Sequence, residues 1–331
     1  MASISRRKLL TSVASGVGLT TISGCLGDSG NEDYPSQPIR VIISWAEGGA
    51  TDSYARQIVS QAHDELDVDS EFENIDGAGG LRGLSELYNA EPDGYTMGDI
   101  STPIIPLAAM LANPGFEVTE LEVIGGYSIG TFGMFANPDE EIESFDEVLE
   151  RYQTGEYEAL GIQDEGDPTE VLARVMRDDP DYDFAWDQIV GYGGTAETGR
   201  ALAAGEVPVA IGSDGGIQSF YNDDQIDSVA MLHSEGSALY EEIPTVEDEG
   251  YSAHDYLARF LRGMAFPPDT PDEKQEIMTD AIEEATISEP VQEWEEESGN
   301  PVDFIPSSEF EAAMEEAFEE IPQQVDLDDL E

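Results

Sequence analysis

The chain has 331 residues and carries 73 acidic against 13 basic side chains, a formal net charge of −60. That balance leaves no basic patch to neutralise phosphates and excludes nucleic acid as a partner, and one cysteine excludes an internal disulfide. The length is enough for a large core split into two lobes. The acids alternate with apolar residues at helical period, as in Glu311-Ala312-Ala313-Met314-Glu315-Glu316-Ala317-Phe318, so they read as solvated faces of a folded chain. After residue 24 the sole lysine is Lys274, beside nine arginines. A lysine-poor acid coat suits very salty water, where the Debye length falls to ~3 Å at molar salt and self-repulsion is screened.

Residues 1–24 read as an export signal. Ser5-Arg6-Arg7-Lys8-Leu9-Leu10 has the twin-arginine pattern, and Val13 to Ile22 is apolar but too short and too rich in Gly, Ser and Thr to span a bilayer. Ile22-Ser23-Gly24-Cys25 resembles a lipobox, which implies lipid attachment at Cys25 after cleavage, with residues 25–33 as a tether.

From Pro38 the chain reads as strand, turn and helix. The β-branched run Ile39-Arg40-Val41-Ile42-Ile43 gives way to Glu47-Gly48-Gly49-Ala50-Thr51-Asp52 and then to a helix with Tyr54, Ala55, Ile58, Val59, Ala62 and Leu66 inward. Paired glycines leave amide hydrogens uncovered where the positive end of the helix dipole points, a corner suited to an anion. The arrangement repeats: the strand Ser70–Ile75, the loop Asp76-Gly77-Ala78-Gly79-Gly80-Leu81-Arg82-Gly83, and a helix through Leu84, Leu87 and Tyr88. Two such corners at the ends of neighbouring strands would face one crevice. Pro92-Asp93-Gly94-Tyr95-Thr96 then turns into a strand ending at Ser101-Thr102-Pro103.

Leu121–Ser128 and Thr131–Ala136 read as two strands separated by a small-residue break, and the helix from Ser144 carries a capping box with Glu147. A strand at Leu160-Gly161-Ile162 leads to Asp167-Pro168-Thr169-Glu170 and an amphipathic helix. Ile189-Val190-Gly191-Tyr192-Gly193-Gly194-Thr195, Val207–Asp214 and Ser228–Leu232 supply further strands, Arg262–Phe266 is a strand stopped by prolines, and Pro271–Thr286 is helical.

Taken together, the Gly-Gly-x-Thr-Asp turn at 48–52 followed by Ala55-Arg56, the Gly-Ala-Gly-Gly loop at 77–80 and the Pro-Asp-Gly-Tyr-Thr turn at 92–96 resemble the solute receptors of tripartite tricarboxylate transporters, the Bug family, here in a haloarchaeal, lipoprotein form. The resemblance extends from about Tyr34 nearly to the end. It implies an α/β, two-lobe periplasmic-binding-protein-like (type II) fold with a mixed sheet in each lobe: residues 34–125 plus 226–331 in lobe 1, residues 126–225 in lobe 2, and the ligand cleft between them. It further implies a binding protein, not an enzyme, that captures a small organic anion and delivers it to membrane transporter subunits from the outer face of the cytoplasmic membrane. Tricarboxylate, dicarboxylate, aromatic acid and acidic amino acid all remain open as solutes. One carboxylate would rest on amides of Gly48, Gly49, Gly79 and Gly80, with hydroxyl contacts from Thr51 and Ser101, while Thr169, Tyr192, Thr195 and Asp214 grip the far end. The chain departs from the family at Asp167 and Glu170, at Gly193 in place of a lysine, at Glu47, and at Arg82, which either touches the ligand or pairs with Glu47 or Asp76. Glu47 beside an anion repels unless turned away; it could instead take an ammonium group. Asp52 is expected to serve its own helix. Replacing Gly80 by valine is expected to abolish binding with little loss of fold.

No cofactor or metal is expected. His63, His233 and His254 lie on separate segments without ligand spacing, and no nucleophile elbow or phosphate-binding lysine loop is present. The alternative is an α/β enzyme holding a phosphate-containing cofactor on the glycine loops. Against it, the glycines at 77, 79 and 83 miss the dinucleotide spacing by one residue.

Overall fold

The computed structural model describes residues 34–327, so the signal, the tether and Cys25 lie outside the described residues. The elements named below all belong to the unit Pro35–Glu331. The run Ile39–Ile43 is β1, with Val41, Ile42 and Ile43 fully buried, and the glycine turn opens α1 (Ala50–Glu65), which buries Tyr54, Ala55, Ile58, Val59 and Ala62. The repeated unit gives β2 (Ser70–Asn74), α2 (Leu81–Tyr88) and β3 (Thr96–Thr102), and α3 (Ile104–Ala112) follows Pro103. Helical crossovers make β2, β1 and β3 parallel neighbours.

Where the sequence predicts two strands there is one, β4 (Glu122–Ala136). Its glycines do not break it; they admit other groups. A Cβ on Gly126 would lie 2.7 Å from Ile305 Cδ1, and one on Gly130 would lie 2.0 Å from Phe260 Cζ. Shifts in register beside Gly125 and Gly126 let so long a strand stay paired.

The helix α4 (Phe145–Gln153) begins at the predicted N-cap: Ser144 Oγ accepts from Glu147 N at 3.3 Å, while the Glu147 carboxylate accepts from Glu143 N at 2.9 Å, one residue before the amide a capping box uses. There follow β5 (Ala159–Ile162), α5 (Pro168–Asp178), β6 (Gln188–Gly191), α6 (Thr195–Ala203), β7 (Val209–Ser213), α7 (Asp214–Asn222) and β8 (Asp227–Met231). A short α8 (Asp255–Ala258) leads into β9 (Arg259–Phe266), and α9 (Asp272–Thr286), α10 (Glu289–Ser298) and α11 (Ser307–Gln324) complete the chain.

The strands run β2-β1-β3-β9-β4-β7-β5-β6, with β8 on β4. Residues 122–131 of β4 pair with β9, whereas Phe132–Ala136 pair with β7 and Gly133–Ala136 with β8. One long strand therefore serves two half-sheets, each mixing parallel strands with antiparallel ones, and the fold is two-lobed α/β. Both faces of each half are covered. Ile39, Tyr54, Ile58 and Ile282 pack one side of the first, and Ile42, Leu84, Ile100 and Phe310 pack the other. Phe145, Tyr152, Val171 and Trp186, and on the opposite side Phe135, Leu202, Ile217 and Tyr240, do the same for the second.

Candidate functional site

In a wound α/β sheet the loops leaving the carboxyl ends of parallel strands gather on one edge. Here the turns after β1, β6 and β7 border a single cleft of about 740 Å³, and Ser128 to Gly130 of β4 with Phe260 and Arg262 of β9 line it between them. A smaller cavity of about 280 Å³ lies near His233, where Arg259 pairs with Glu309 at 2.8 Å and His233 stands beside Asp255.

Three helices start at the larger cleft: α1 at Ala50-Thr51, α6 at Thr195-Ala196-Glu197 and α7 at Asp214-Gly215-Gly216. None of the three N-cap residues, Gly49, Gly194 and Ser213, supplies a side-chain hydrogen bond to its helix. By contrast α4 and α5 are capped by Ser144 and Asp167. The first-turn amides left over at a helix start are hydrogen-bond donors carrying the positive end of the dipole, and three such ends converge on one volume, with the Gly215 amide of α7 already taken by the Asp214 carboxylate.

The β1 turn is held from behind. Gly48 N donates to Asp52 Oδ2 at 2.9 Å, and Asp52 Oδ1 accepts from Arg56 Nε at 2.9 Å and Asn74 Nδ2 at 2.8 Å. Gly49 N donates to Ala46 O at 3.2 Å. The two amides expected to meet a ligand are therefore spent inside the turn, and the open donors move one step along, to Ala50 and Thr51 at the start of α1. Gly48 takes φ +81°, which explains the glycine. Asp52, 3% exposed, serves its own helix as expected, through Arg56, and it also holds the turn through Gly48; its partners hold its carboxyl below the usual range despite burial. Trp45, also on the cleft, donates Nε1 to Asp99 Oδ2 at 2.9 Å, and the amide of Ser44 donates to the other oxygen. Burial raises the Asp99 carboxyl to about 6 against those hydrogen bonds.

Of the residues singled out from sequence, Gly48, Gly49, Thr51, Thr195 and Asp214 line the cleft. Gly79, Gly80, Arg82, Ser101, Thr169 and Tyr192 do not. The Gly77–Gly80 loop packs against α3 instead: a Cβ on Gly79 would sit 2.8 Å from Ala108 Cβ, and one on Gly80 2.8 Å from Ile105 Cδ1 and 3.2 Å from Trp45 Cζ2. Gly80, at φ +90°, is a packing glycine, so a valine there costs fold, against the expectation of little loss. Arg82 is exposed and pairs with neither Glu47 nor Asp76 among the described residues. Thr169 is fully buried, with its hydroxyl between Asp167 and the amide of Gln163, and Tyr192 packs on the core around Leu202. Asp214 lines the cleft as a carboxylate already accepting from Ser237 Oγ at 2.7 Å, Gly215 N at 2.7 Å and Thr131 Oγ1 at 3.1 Å; burial raises its pKa.

Two cleft residues went unmarked in the sequence. Gln163 Nε2 is buried without a partner among the described residues. Arg262 is half-buried between the rings of Tyr54 and Phe260, its guanidinium carbon 5.3 and 4.7 Å from their centres, and burial lowers its pKa. Its pairing depends on where β9 crosses the sheet, and no local motif signals that.

Residues 54–303 match the family described as the tripartite tricarboxylate transporter family receptor. The chain belongs to that receptor family. A UPF0065 protein of Bordetella pertussis is 24% identical over 263 residues, covering 78% of this chain and 79% of that protein. Among solved structures, a Rhodopseudomonas palustris protein with adipate superposes with a TM-score of 0.72 at 15% identity, covering 88% of this receptor and 98% of that chain. MatC from the same organism, with bound malate, gives a TM-score of 0.68 at 18% identity, covering 90% and 100%. These likenesses agree with the two-lobe receptor fold read from the sheet.

Proposed function

We propose that this receptor captures a small organic carboxylate in the cleft between its lobes and hands it to the membrane subunits of a tripartite tricarboxylate-type transporter. The observation that carries the reading is the convergence of three helix N-termini without side-chain caps on one open cleft. In a chain of net charge −60, neutral amides attract an anion without demanding buried cations. The malate and adipate in the two solved relatives are carboxylates of the size such a cleft admits. The contacts from this chain are Ala50 and Thr51 on one side, and Gln163, Thr195 and the start of α7 on the other.

The proposed lobes meet at β4 and β9. The pairing of β8 with Gly133–Ala136 and the packing of the segment through Ala258 on the core around Phe145 support a division that takes residues 227–258 with the second lobe, in place of the first lobe's 226–331. Export by the twin-arginine signal and lipid attachment at Cys25 would hold the receptor at the outer face of the cytoplasmic membrane, and the acid coat suits salty surroundings. The cofactor-dependent enzyme is the weaker reading, since Gly79 and Gly80 are filled by α3 and Trp45 where a phosphate would need open backbone. A thermal-shift screen of mono-, di- and tricarboxylates in multimolar KCl tests the proposal. A saturable rise in Tm with at least one acid is expected, and no response across the panel overturns it.

A further inference from the structure

Six of the nine arginines among the described residues, at positions 40, 56, 151, 174, 200 and 259, sit on a carboxylate within 4.0 Å. Arg177 lies over Trp186, 4.3 Å from the ring centre, and Arg82 is exposed on the surface. Arg262 alone lines the cleft, and among the described residues its side chain has neither an ion pair nor a hydrogen bond. In so acidic a chain, a half-buried cation that avoids every carboxylate is unexpected. Burial without a counter-charge is costly, and the rings of Tyr54 and Phe260 recover only part of that cost.

The neighbours of Arg262 are polar and only lightly used: the Ser128 hydroxyl lies against the hydroxyl of Tyr54, which donates to Pro301 O at 3.0 Å. In the strand register it faces Ser101 on β3 and Ser128 on β4, which places the three side chains on one face of the sheet. Both hydroxyls are buried, 2% and 1% exposed, and neither Oγ has a hydrogen-bond partner among the described residues. Ser128 also lines the cleft. Asp214 shares the cleft but lies beyond ion-pair distance of the guanidinium, and its carboxylate is committed to Thr131, Ser237 and Gly215. A guanidinium fork with a free hydroxyl beside it matches a planar carboxylate.

We infer that Arg262, flanked by Ser128, reads a second carboxylate of the solute, so that this receptor selects a dicarboxylate held between the start of α1 and the β4–β9 crossing. The inference rests on the receptor reading above and narrows it. Amides at a helix start accept any carboxylate, whereas a fixed cation at a set place in the same cleft rewards a second one.

The test is calorimetric titration in multimolar KCl with succinate, glutarate and adipate, each paired with its monoamide, against wild type, Arg262→Gln, Arg262→Lys and Ser128→Ala. Near-ultraviolet circular dichroism confirms the fold of each variant. Wild type is expected to prefer at least one diacid over its monoamide by about 30-fold or more, the effect of removing one partner of a buried charge pair. In Arg262→Gln that preference should collapse to about threefold or less, with monoamide affinity nearly unchanged; Arg262→Lys should keep part of it. Equal preference in wild type and Arg262→Gln overturns the role of Arg262 while leaving the receptor reading intact. Binding of monocarboxylates alone also overturns it. A wild type that binds none of the acids, the wider carboxylate panel included, brings down both.

Discussion

Replacing Ala50 by proline isolates the claim that helix amides hold the anion. Ala50 is the first residue of α1, and its N–H is one of the donors a helix cannot use internally, so proline removes a single hydrogen-bond donor from the cleft. The backbone is ready for the change. Gly49 holds φ −73° and ψ 171°, the extended conformation required before proline, and the first helical bond, Ser53 N to Gly49 O at 2.9 Å, is untouched. Ala50 is exposed at the cleft, so the ring meets no packed wall. Stability should therefore change by less than about 1 kcal/mol. A hydrogen bond to a charged group contributes about 1.5–3 kcal/mol, which corresponds to a loss of about 10- to 150-fold in carboxylate affinity. Calorimetry against the best acid of the thermal-shift panel measures it, with Ala50→Ser as the control that adds bulk and keeps the N–H. The reasoning fails if the proline variant binds as wild type does, or if the serine variant loses as much.

Burial raises the Asp99 carboxyl to about 6, so this group favours the fold while protonated. Its contribution is complete below about pH 4 and is lost as pH rises through 6, a change of about 3 kcal/mol at 1.36 per unit. Denaturant unfolding of wild type and Asp99→Asn at about pH 4 and pH 7 should show the difference between them moving by that amount in favour of the variant; a constant difference contradicts the account. Gly80→Val, forced to φ +90° with Ile105 Cδ1 at 2.8 Å, should lose about 2–4 kcal/mol of stability, and an unchanged denaturation midpoint would mean the loop is not packed as described.

Elements were legible where each carries its own local signal: in the first lobe the β-branched run of β1, the glycine turn and the apolar stripe of α1, and in the second the N-cap at Ser144. The single long β4 was not, since a glycine that breaks an isolated strand and one that admits Phe260 look alike in sequence. The same ambiguity governs the site. Gly48 and Gly80 both take positive φ beside a helix start, yet one borders open space and the other is packed under Ile105. Amide accounting likewise needs geometry: Asp52 sits four residues from Gly48, and only the fold shows its carboxylate taking the N–H expected to meet the ligand. Arg262 lies in an ordinary strand, and what sets it apart is its place on the cleft with no carboxylate within ion-pair distance, which no stretch of sequence displays.

The account turns on where an anion comes to rest. Crystals of the receptor grown with adipate in high salt would show it directly. The expected difference density places one carboxylate within hydrogen-bond distance of the Ala50 and Thr51 amides and the other against Arg262 and Ser128. Density elsewhere on the molecule, or a carboxylate lying on the Gly79-Gly80 loop with the α1 start left bare, would contradict it.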